Sequence, residues 1–436
     1  MNISVVQSMI NAVDKPAIFI DTQYTILAVN QAYRETYENE VVLGNSRCFE
    51  ISHGNTSSCD NHDEDCPIQT CMHTQKATSV MHVHNTEFGK TYCDILMKPI
   101  KDDDGITIGF LEVLDKIDFA TTESHNNKMI GSSTPFKAML SKINRAAKAD
   151  ISVLLHGETG TGKELVAKAL HDASSRATKP FVVIECTGLN ENLFESELFG
   201  HEKGAFTGAI QNKKGLIEIA KGGTVFFDEI ADVSLSMQVK LLRLIETKSY
   251  RTVGGTQQKK ADFRLICASH KNLFSLVHQE LFRKDLYYRI AGFPISLPNL
   301  SERQDDIPAL SLHFLASAKT HPKTLSKAAL KKLCEYDYPG NIRELKNIIE
   351  QATLLTDDDV IDVRDLPEQL IHGSAEKVSA NFSNTSNIIS LEALEYQYLN
   401  QLCEHASIDM DALALHLGIS VRTLYRKFQK HGLKYE

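Results

Sequence analysis

The sequence predicts a multidomain α/β chain: a small α/β unit, a larger parallel α/β domain followed by helices, and a short all-α tail. Three observations carry this. The chain has 436 residues, more than one hydrophobic core usually organises. Helix and strand patterns alternate from Met129 to about Ile371. Two polar stretches, Thr121–Lys128 and Gly373–Asn387, interrupt the pattern as linkers do. The expected boundaries are residues 1–118 for the first unit, 119–128 for a linker, 129–371 for the central domain, 372–388 for a second linker and 389–436 for the tail.

Composition narrows the classes. With 42% apolar and 24% charged residues the chain can build packed cores. A net charge of −9 excludes a general polyanion binder, so any nucleic-acid contact needs a local basic face. No apolar run reaches bilayer length and the N-terminus lacks a signal pattern, so a cytoplasmic protein without a membrane partner is expected. The nine cysteines are then expected to stay reduced.

In the first unit, Ala17-Ile18-Phe19-Ile20 and Ile26-Leu27-Ala28-Val29 read as short apolar strands joined by a polar turn, with a helix over 31–37. Lys101–Gly105 is a turn signal between 92–100 and 106–114, which predicts a hairpin. Between these lie Cys48, Cys59, Cys66 and Cys71, with ten, six and four residues between successive thiols. His53, His62 and His73 are interleaved, and Asp60, Asp63, Glu64 and Asp65 crowd the same loop. Thiolates with imidazoles suit a metal ion, an iron–sulfur cluster or a redox switch. The intervals match no standard zinc finger, and incidental thiols are the competing reading. His82 and His84 alternate on a strand and read as surface and core residues rather than ligands.

The central domain carries the chemistry. Ile151–His156 is an apolar strand leading into Gly157-Glu158-Thr159-Gly160-Thr161-Gly162-Lys163-Glu164 and a helix over 165–170. Strand, glycine-rich loop and helix form the context in which backbone N–H groups and a helix N-terminus cradle phosphates. Lys163 would reach the β- and γ-phosphates of ATP. Glu164 stands where Ser or Thr usually meets Mg²⁺, so the ion must lean on other carboxylates. Gly222–Glu229 supplies them: a turn, a buried strand, then Asp228 to hold Mg²⁺ and Glu229 to polarise the attacking water. Arg283 and Arg289, six residues apart, suit stabilisation of phosphoryl charge from a neighbouring subunit, and equally suit structural ion pairs. Gly204-Ala205-Phe206-Thr207-Gly208-Ala209 is poor core material: two glycines give backbone freedom and Phe206 with Thr207 offer one apolar and one hydroxyl contact.

These pieces resemble the AAA+ domain of NtrC-type sigma-54 activators, with a helical lid, almost throughout 130–371. The resemblance rests on Gly157–Glu164, on Glu195–Lys203 leading into Gly204–Ala209, and on Gly222–Glu229. It continues through Phe282–Arg289, Leu297–Arg303 and Pro339–Leu345. It implies that Gly204–Ala209 touches sigma-54, that Arg283 and Arg289 act in trans, and that Arg343 contacts nucleotide in its own subunit. A dimer-to-hexamer assembly is implied as well. Glu164 is usual in this family. Two positions depart: Ser269-His270 replaces the common Thr-Asn, with His270 still able to hydrogen-bond near the γ-phosphate, and Glu185 replaces an Asn that restrains the catalytic Glu. A carboxylate cannot donate a hydrogen bond to Glu229 unless protonated.

The tail reads as a helix over 411–417, a turn at Gly418-Ile419, a cap at Ser420 and a helix over 421–431. The last helix is basic. Ser420, Arg422, Thr423 and Arg426 are candidate base or phosphate contacts, and Lys427 and Lys430 candidate phosphate contacts. It resembles the Fis-type helix-turn-helix that ends these activators and implies enhancer DNA as a partner. The first unit resembles a PAS-like α+β sensor at Asn30-Gln31-Ala32-Tyr33, a fold that takes haem, flavin, metals or small ligands, or dimerises. No receiver domain is apparent. The whole points to a sigma-54-dependent activator that remodels the closed complex of sigma-54 RNA polymerase. The alternatives are an AAA+ DNA-binding regulator acting without sigma-54, which predicts an altered Gly204–Ala209, and a protein-remodelling ring ATPase, which predicts no DNA tail.

Overall fold

A computed structural model of the chain describes residues 3–37, 39–62, 64–87, 89–123, 128–188, 190–318 and 323–371, and in the tail 395–396, 398–399, 410, 413–414, 417–431 and 433. The second expected linker, and Asp411, Ala412, Leu415 and His416 of the expected tail helix, lie outside the described residues. The chain divides into two compact units, Met1–Gly373 and Ser374–Glu436.

The first unit opens with helix α1 (Ile3–Asn11) and the strands β1 (Ala17–Ile20) and β2 (Ile26–Val29). Three short helices follow, α2 (Gln31–Arg34), α3 (Cys48–His53) and α4 (Pro67–Thr74). The strands β3 (Thr78–Thr86), β4 (Gly89–Lys101) and β5 (Thr107–Ile117) complete an antiparallel sheet of order β2-β1-β5-β4-β3. Asn30 explains why β2 turns into α2. Its Oδ1 accepts from Ala17 N and Tyr33 N, both at 3.0 Å, while Nδ2 donates to the carbonyls of Val13 and Lys15. One buried amide thus fills its hydrogen-bonding capacity and ties helix cap to sheet edge. The expected helix over 31–37 stops at Arg34. Beyond it, Tyr37 is buried and packs at a tilt against the Tyr33 ring.

A second, parallel sheet organises the central part. It contains β6 (Val153–His156), β7 (Phe181–Glu185), β8 (Thr224–Asp228), β9 (Arg264–Ser269) and β10 (Phe293–Ser296), in the order β10-β6-β9-β8-β7. Every residue of β9 is buried, as expected for a central strand covered on both faces. Helix α5 (Thr134–Ala147) precedes β6, α6 (Lys163–Asp172) follows it, and α7 (Glu191–Phe199) follows β7. Helix α8 (Leu235–Thr247) follows β8, and α9 (Lys284–Ile290) precedes β10. Buried Arg264 donates to the carbonyls of Ala146, Ala147 and Leu170, so one cation satisfies the C-terminal carbonyls of α5 and α6. Helices α10 (Ile307–Ser317), α11 (Lys327–Glu335) and α12 (Asn341–Leu355) form a lid with its own core around Leu310, Leu333, Leu345 and Ile349.

The two sheets of this unit share a core. Met81, Tyr92, Ile117 and Ala120 pack with Phe136, Leu140 and Ile143 of α5 and with the sheet residues Val153 and Phe226. The flanks of the expected linker are held: Ala120-Thr121 pairs with Met129-Ile130 as a parallel ribbon, and the Tyr92 hydroxyl donates to Gly131 O. Asp306, fully buried, accepts from Ser132 N, Ser133 N and Ser133 Oγ, and pairs with Arg303 at 2.8 Å. Arg303 in turn donates to Ile130 O at 2.6 Å and lies over the Phe136 ring.

In the second unit, α13 (Val421–His431) buries Leu424 and Phe428 against Leu399, Leu413 and Ala414. Ser420 Oγ accepts from Thr423 N at 3.2 Å and so caps it.

Candidate functional site

The phosphate loop leaves β6 at His156 and enters α6 at Lys163, with Gly160 at φ +84° and Gly162 at φ +98°. Gly160 is obligatory for a second reason: a Cβ there would lie 2.3 Å from Gly340 O, where the lid meets the loop. Asn341, the first residue of α12, donates to Glu158 Oε2 at 3.0 Å and to Thr159 O at 3.3 Å. Arg343, two residues on, is exposed with its Cβ near Gly160.

Lys163 is buried, and its Nζ meets Gly157 O at 3.0 Å and Glu229 Oε1 at 3.1 Å. Asp228 and Glu229 sit at the end of β8, where β strands of such sheets deliver ligand-facing residues. Glu229 adopts φ +54°, a left-handed conformation that is costly for a non-glycine residue. Its Oε2 accepts from His270 N at 3.0 Å and meets His270 Nδ1 at 2.6 Å. Burial pushes the Glu229 carboxyl up, but the His270 donors and Lys163 outweigh it and hold the pKa below the usual range. Asp228 goes the other way, raised by burial and by the Glu229 charge. Glu185 is exposed at the end of β7, register partner of Asp228. Beside Thr161 and Gly162 lies an apolar cavity of ≈ 140 Å³ lined by Ile130, Phe136, Leu310 and Ile342. It suits a planar base, and sequence reasoning missed it because its walls come from four separated segments.

Gly204–Ala209 projects from a two-stranded base in which Gly200-His201 pairs with Lys213-Lys214. Gly204 N donates to Ala209 O and Ala209 N to Phe206 O, closing the loop on itself. Gly204 and Gly208 have φ +83° and +107°, which favours glycine at both. Phe206 is 46% exposed with its ring edge-on to His201. Sequence reasoning also missed a hairpin, Ser249–Arg251 paired with Gln258–Lys260. Its turn grips the loop's base: Glu202 N donates to Val253 O, Val253 N to Gly200 O, and Gly254 faces Ala205.

Arg283 and Arg289 are exposed on α9 and its cap. Arg283 is bidentate to Asp285 at 3.1 and 2.7 Å, and Arg289 meets Glu246 at 3.1 Å. In the tail Arg422 and Arg426 are exposed, whereas Lys427 pairs with Glu395 at 2.8 Å.

The cysteine loop folds over β3. Cys48, Cys59, Cys66, His53, His82, His84 and Glu112 line a cavity of ≈ 20 Å³. Cys71 does not line it, because its Sγ turns to Met97 O. His62 and His73 are exposed. His82 and His84, expected as surface and core residues, are both buried, and the ligand atoms of His82, His53 and Cys59 lie mutually within 4.8 Å. Strand pairing, invisible in local sequence, brings them there. Burial lowers the His53 pKa to about 4 and lowers both other imidazoles. A hydrogen bond from Cys59 holds the Cys66 thiol down at about 7. Burial raises Glu112 to about 8, so that carboxyl is largely protonated at neutral pH.

The parallel sheet, phosphate loop, paired carboxylates and helical lid define an AAA+ ATPase. Residues 129–296 match the sigma-54 interaction domain, residues 301–382 the AAA+ ATPase lid domain and residues 10–118 the PAS fold. The chain is 40% identical over 313 residues to the response regulator protein PilR of Pseudomonas aeruginosa, spanning 71% of this chain and 70% of that one. It is 42% identical over 306 residues to the transcriptional regulatory protein ZraR of Salmonella typhimurium, spanning 69% and 68%. Among solved structures, NtrX from Brucella abortus in complex with ADP is 29% identical with a TM-score of 0.52, covering 71% of this chain and 70% of that one. The chain belongs to the family of sigma-54-dependent transcriptional activators. Among the described residues no helix is long and apolar enough to cross a membrane.

Proposed function

We propose that this chain binds enhancer DNA, assembles through its AAA+ domain into a ring, and hydrolyses ATP to remodel the closed complex of sigma-54 RNA polymerase under control of its PAS-like sensor. The observation that carries the reading is the Gly204–Ala209 loop, unaltered in sequence and held out from the ATPase core with Phe206 exposed. A regulator that had abandoned sigma-54 has no reason to keep it.

Roles follow from placement. The amides of Gly157–Gly162 and the α6 N-terminus cradle the phosphates, and Lys163 neutralises the terminal ones. The Asp228 carboxylate fits Mg²⁺, whose charge offsets that building on the phosphoryl oxygens. Glu229 is the general base for water, and it is held in the free protein by Lys163 and His270. Terminal phosphate in the loop competes for Lys163 and for the His270 donors and frees Glu229. Arg283 and Arg289 act on the neighbouring subunit's nucleotide after exchanging Asp285 and Glu246 for phosphate. Arg343 reads nucleotide from the lid. The hairpin at 249–260 passes the resulting movement to the Gly204–Ala209 base. Ser420, Arg422, Thr423 and Arg426 contact DNA, with Lys430 on phosphate and Lys427 joining after release from Glu395.

The test is Thr207→Ala. Hydrolysis should stay within about threefold of the wild type, because Thr207 touches no group of the ATP site, while open-complex formation with sigma-54 polymerase is lost. Retained open-complex formation would refute the reading.

A further inference from the structure

The sensor cavity holds a side-chain set that the motor does not use. We propose that His53, Cys59 and His82 bind one thiophilic divalent cation of the zinc type, and that Glu64 carries its occupancy to the ATPase domain. The inference deepens the sensory control proposed above and rests on that reading only for what the ion regulates.

The geometry is close to a ligand shell. The three ligand atoms lie within 4.8 Å of one another. Tetrahedral zinc places nitrogen and sulfur ligands about 3.3–3.8 Å apart, so closure needs side-chain shifts of roughly 1 Å. His82 is already oriented for it. Its Nε2 lies 2.9 Å from Asp65 O, and a carbonyl only accepts, so Nε2 carries the hydrogen and Nδ1 the lone pair. That Nδ1 is buried and has no hydrogen-bond partner among the described residues. A ring tied by one nitrogen to a backbone carbonyl with the other left bare is the outer-shell arrangement of metal-binding histidines. A buried acceptor left without a partner is destabilising, and a cation removes that cost.

The chemistry selects the ion. Two imidazoles and a thiolate favour zinc-like over magnesium- or calcium-like cations. A cavity of ≈ 20 Å³ takes one water-sized guest and excludes haem and flavin. On binding, the Cys59 S–H bond is exchanged for a sulfur–metal bond and the proton leaves to solvent.

Glu64 connects the site to the motor. Its Oε2 lies 3.6 Å from His53 Nδ1 and 3.8 Å from His82 Nδ1, while its Oε1 pairs with Lys137 of α5 at 3.1 Å. A cation between the imidazoles draws on the same carboxylate and loosens its hold on α5.

The full chain, stripped with chelator under reductant, is titrated without air with Co²⁺ as a spectroscopic probe and then with Zn²⁺. We expect one Co²⁺ per chain with a thiolate-to-cobalt charge-transfer band, displaced by Zn²⁺. Cys59→Ser should lose the band, His82→Ala should weaken binding by about 100-fold or more, and Cys71→Ser should change neither. His53→Asn replaces any variant that no longer hydrolyses ATP and has therefore misfolded. Absence of saturable binding, or a charge-transfer band that survives Cys59→Ser, overturns the proposal. Cobalt binding with no open-complex activity leaves the site standing and removes the activator reading, and the reverse outcome separates them equally.

Discussion

The nucleotide site and the sensor cavity both bury ionisable groups, and they treat them in opposite ways. In the motor Lys163 is answered by two carbonyls and Glu229, and Asp306 by Arg303 and three further donors. In the sensor, Tyr33 Oη, His82 Nδ1 and His84 Nε2 are buried without hydrogen-bond partners among the described residues. A satisfied site is self-locked and waits for a ligand able to displace internal partners. An unsatisfied one gains stability from whatever supplies the missing contact. The motor is thus built to be released, and the sensor to be completed.

Breaking the motor's chemistry gives the largest effect. Glu229→Gln keeps the shape but not the base, so hydrolysis should fall by about 10²–10⁴-fold with ATP binding retained. Phosphate release and nucleotide titration on the same preparation decide it, and a rate within tenfold of wild type places the base elsewhere. Next comes the buried pair at the junction. Asp306→Ala strands Arg303, which is only 4% exposed, and should cost about 3–5 kcal/mol in urea unfolding. A loss under ~1 kcal/mol would mean that the junction is not the rigid joint its bonds describe.

The sensor side is sharpened by pH. The Glu112 carboxyl is raised from its ordinary range to about 8 in the folded chain. The folded state therefore keeps a proton that the unfolded chain loses above about pH 4.5. The associated stability is full below that pH, declines by up to about 1.4 kcal/mol per unit as pH rises, and levels off above 8. Glu112→Gln should abolish the decline. Hydrogen exchange of β5 amides in the full chain between pH 5 and 8 reads it, and identical slopes in wild type and variant would contradict a protonated Glu112.

What was legible in sequence divides along the same line. Gly157–Glu164, Gly222–Glu229 and Gly204–Ala209 are contiguous, and a phosphate loop or projecting loop needs contiguous backbone, so local reading found them. The PAS-like β2–α2 step was legible for the same reason, through Asn30. The ligand set proposed for the sensor cavity was half legible. Cys59 and His53 were visible as a cluster, but His82 arrives from β3 by strand pairing and Cys71 departs on the far side of α4. The hairpin at 249–260 and the Asp306–Arg303 clamp were not legible at all. The clamp exists only through contacts with segments distant in sequence, joining residues more than 170 positions apart, whereas the hairpin pairs within itself and only its grip on the Gly204–Ala209 base is non-local.

The smallest effect concerns how the motor's lock is made. Glu185 can donate to Glu229 only if protonated, and the contacts on Glu229 come from His270, through both its backbone and its ring, and from Lys163. The backbone donor survives any substitution, so only the ring contact is removable. The ring is partly exposed, so solvent screening discounts its contribution. Glu229 is active as a base only when deprotonated, and the His270 ring helps hold its pKa down. In His270→Ala the acid limb of the hydrolysis rate should therefore move to higher pH, while the plateau at neutral pH changes little for want of any change in ionisation there. If the limb stays in place and the plateau falls instead, His270 acts on bound nucleotide rather than on Glu229. The lock would then consist of Lys163 and a backbone amide alone.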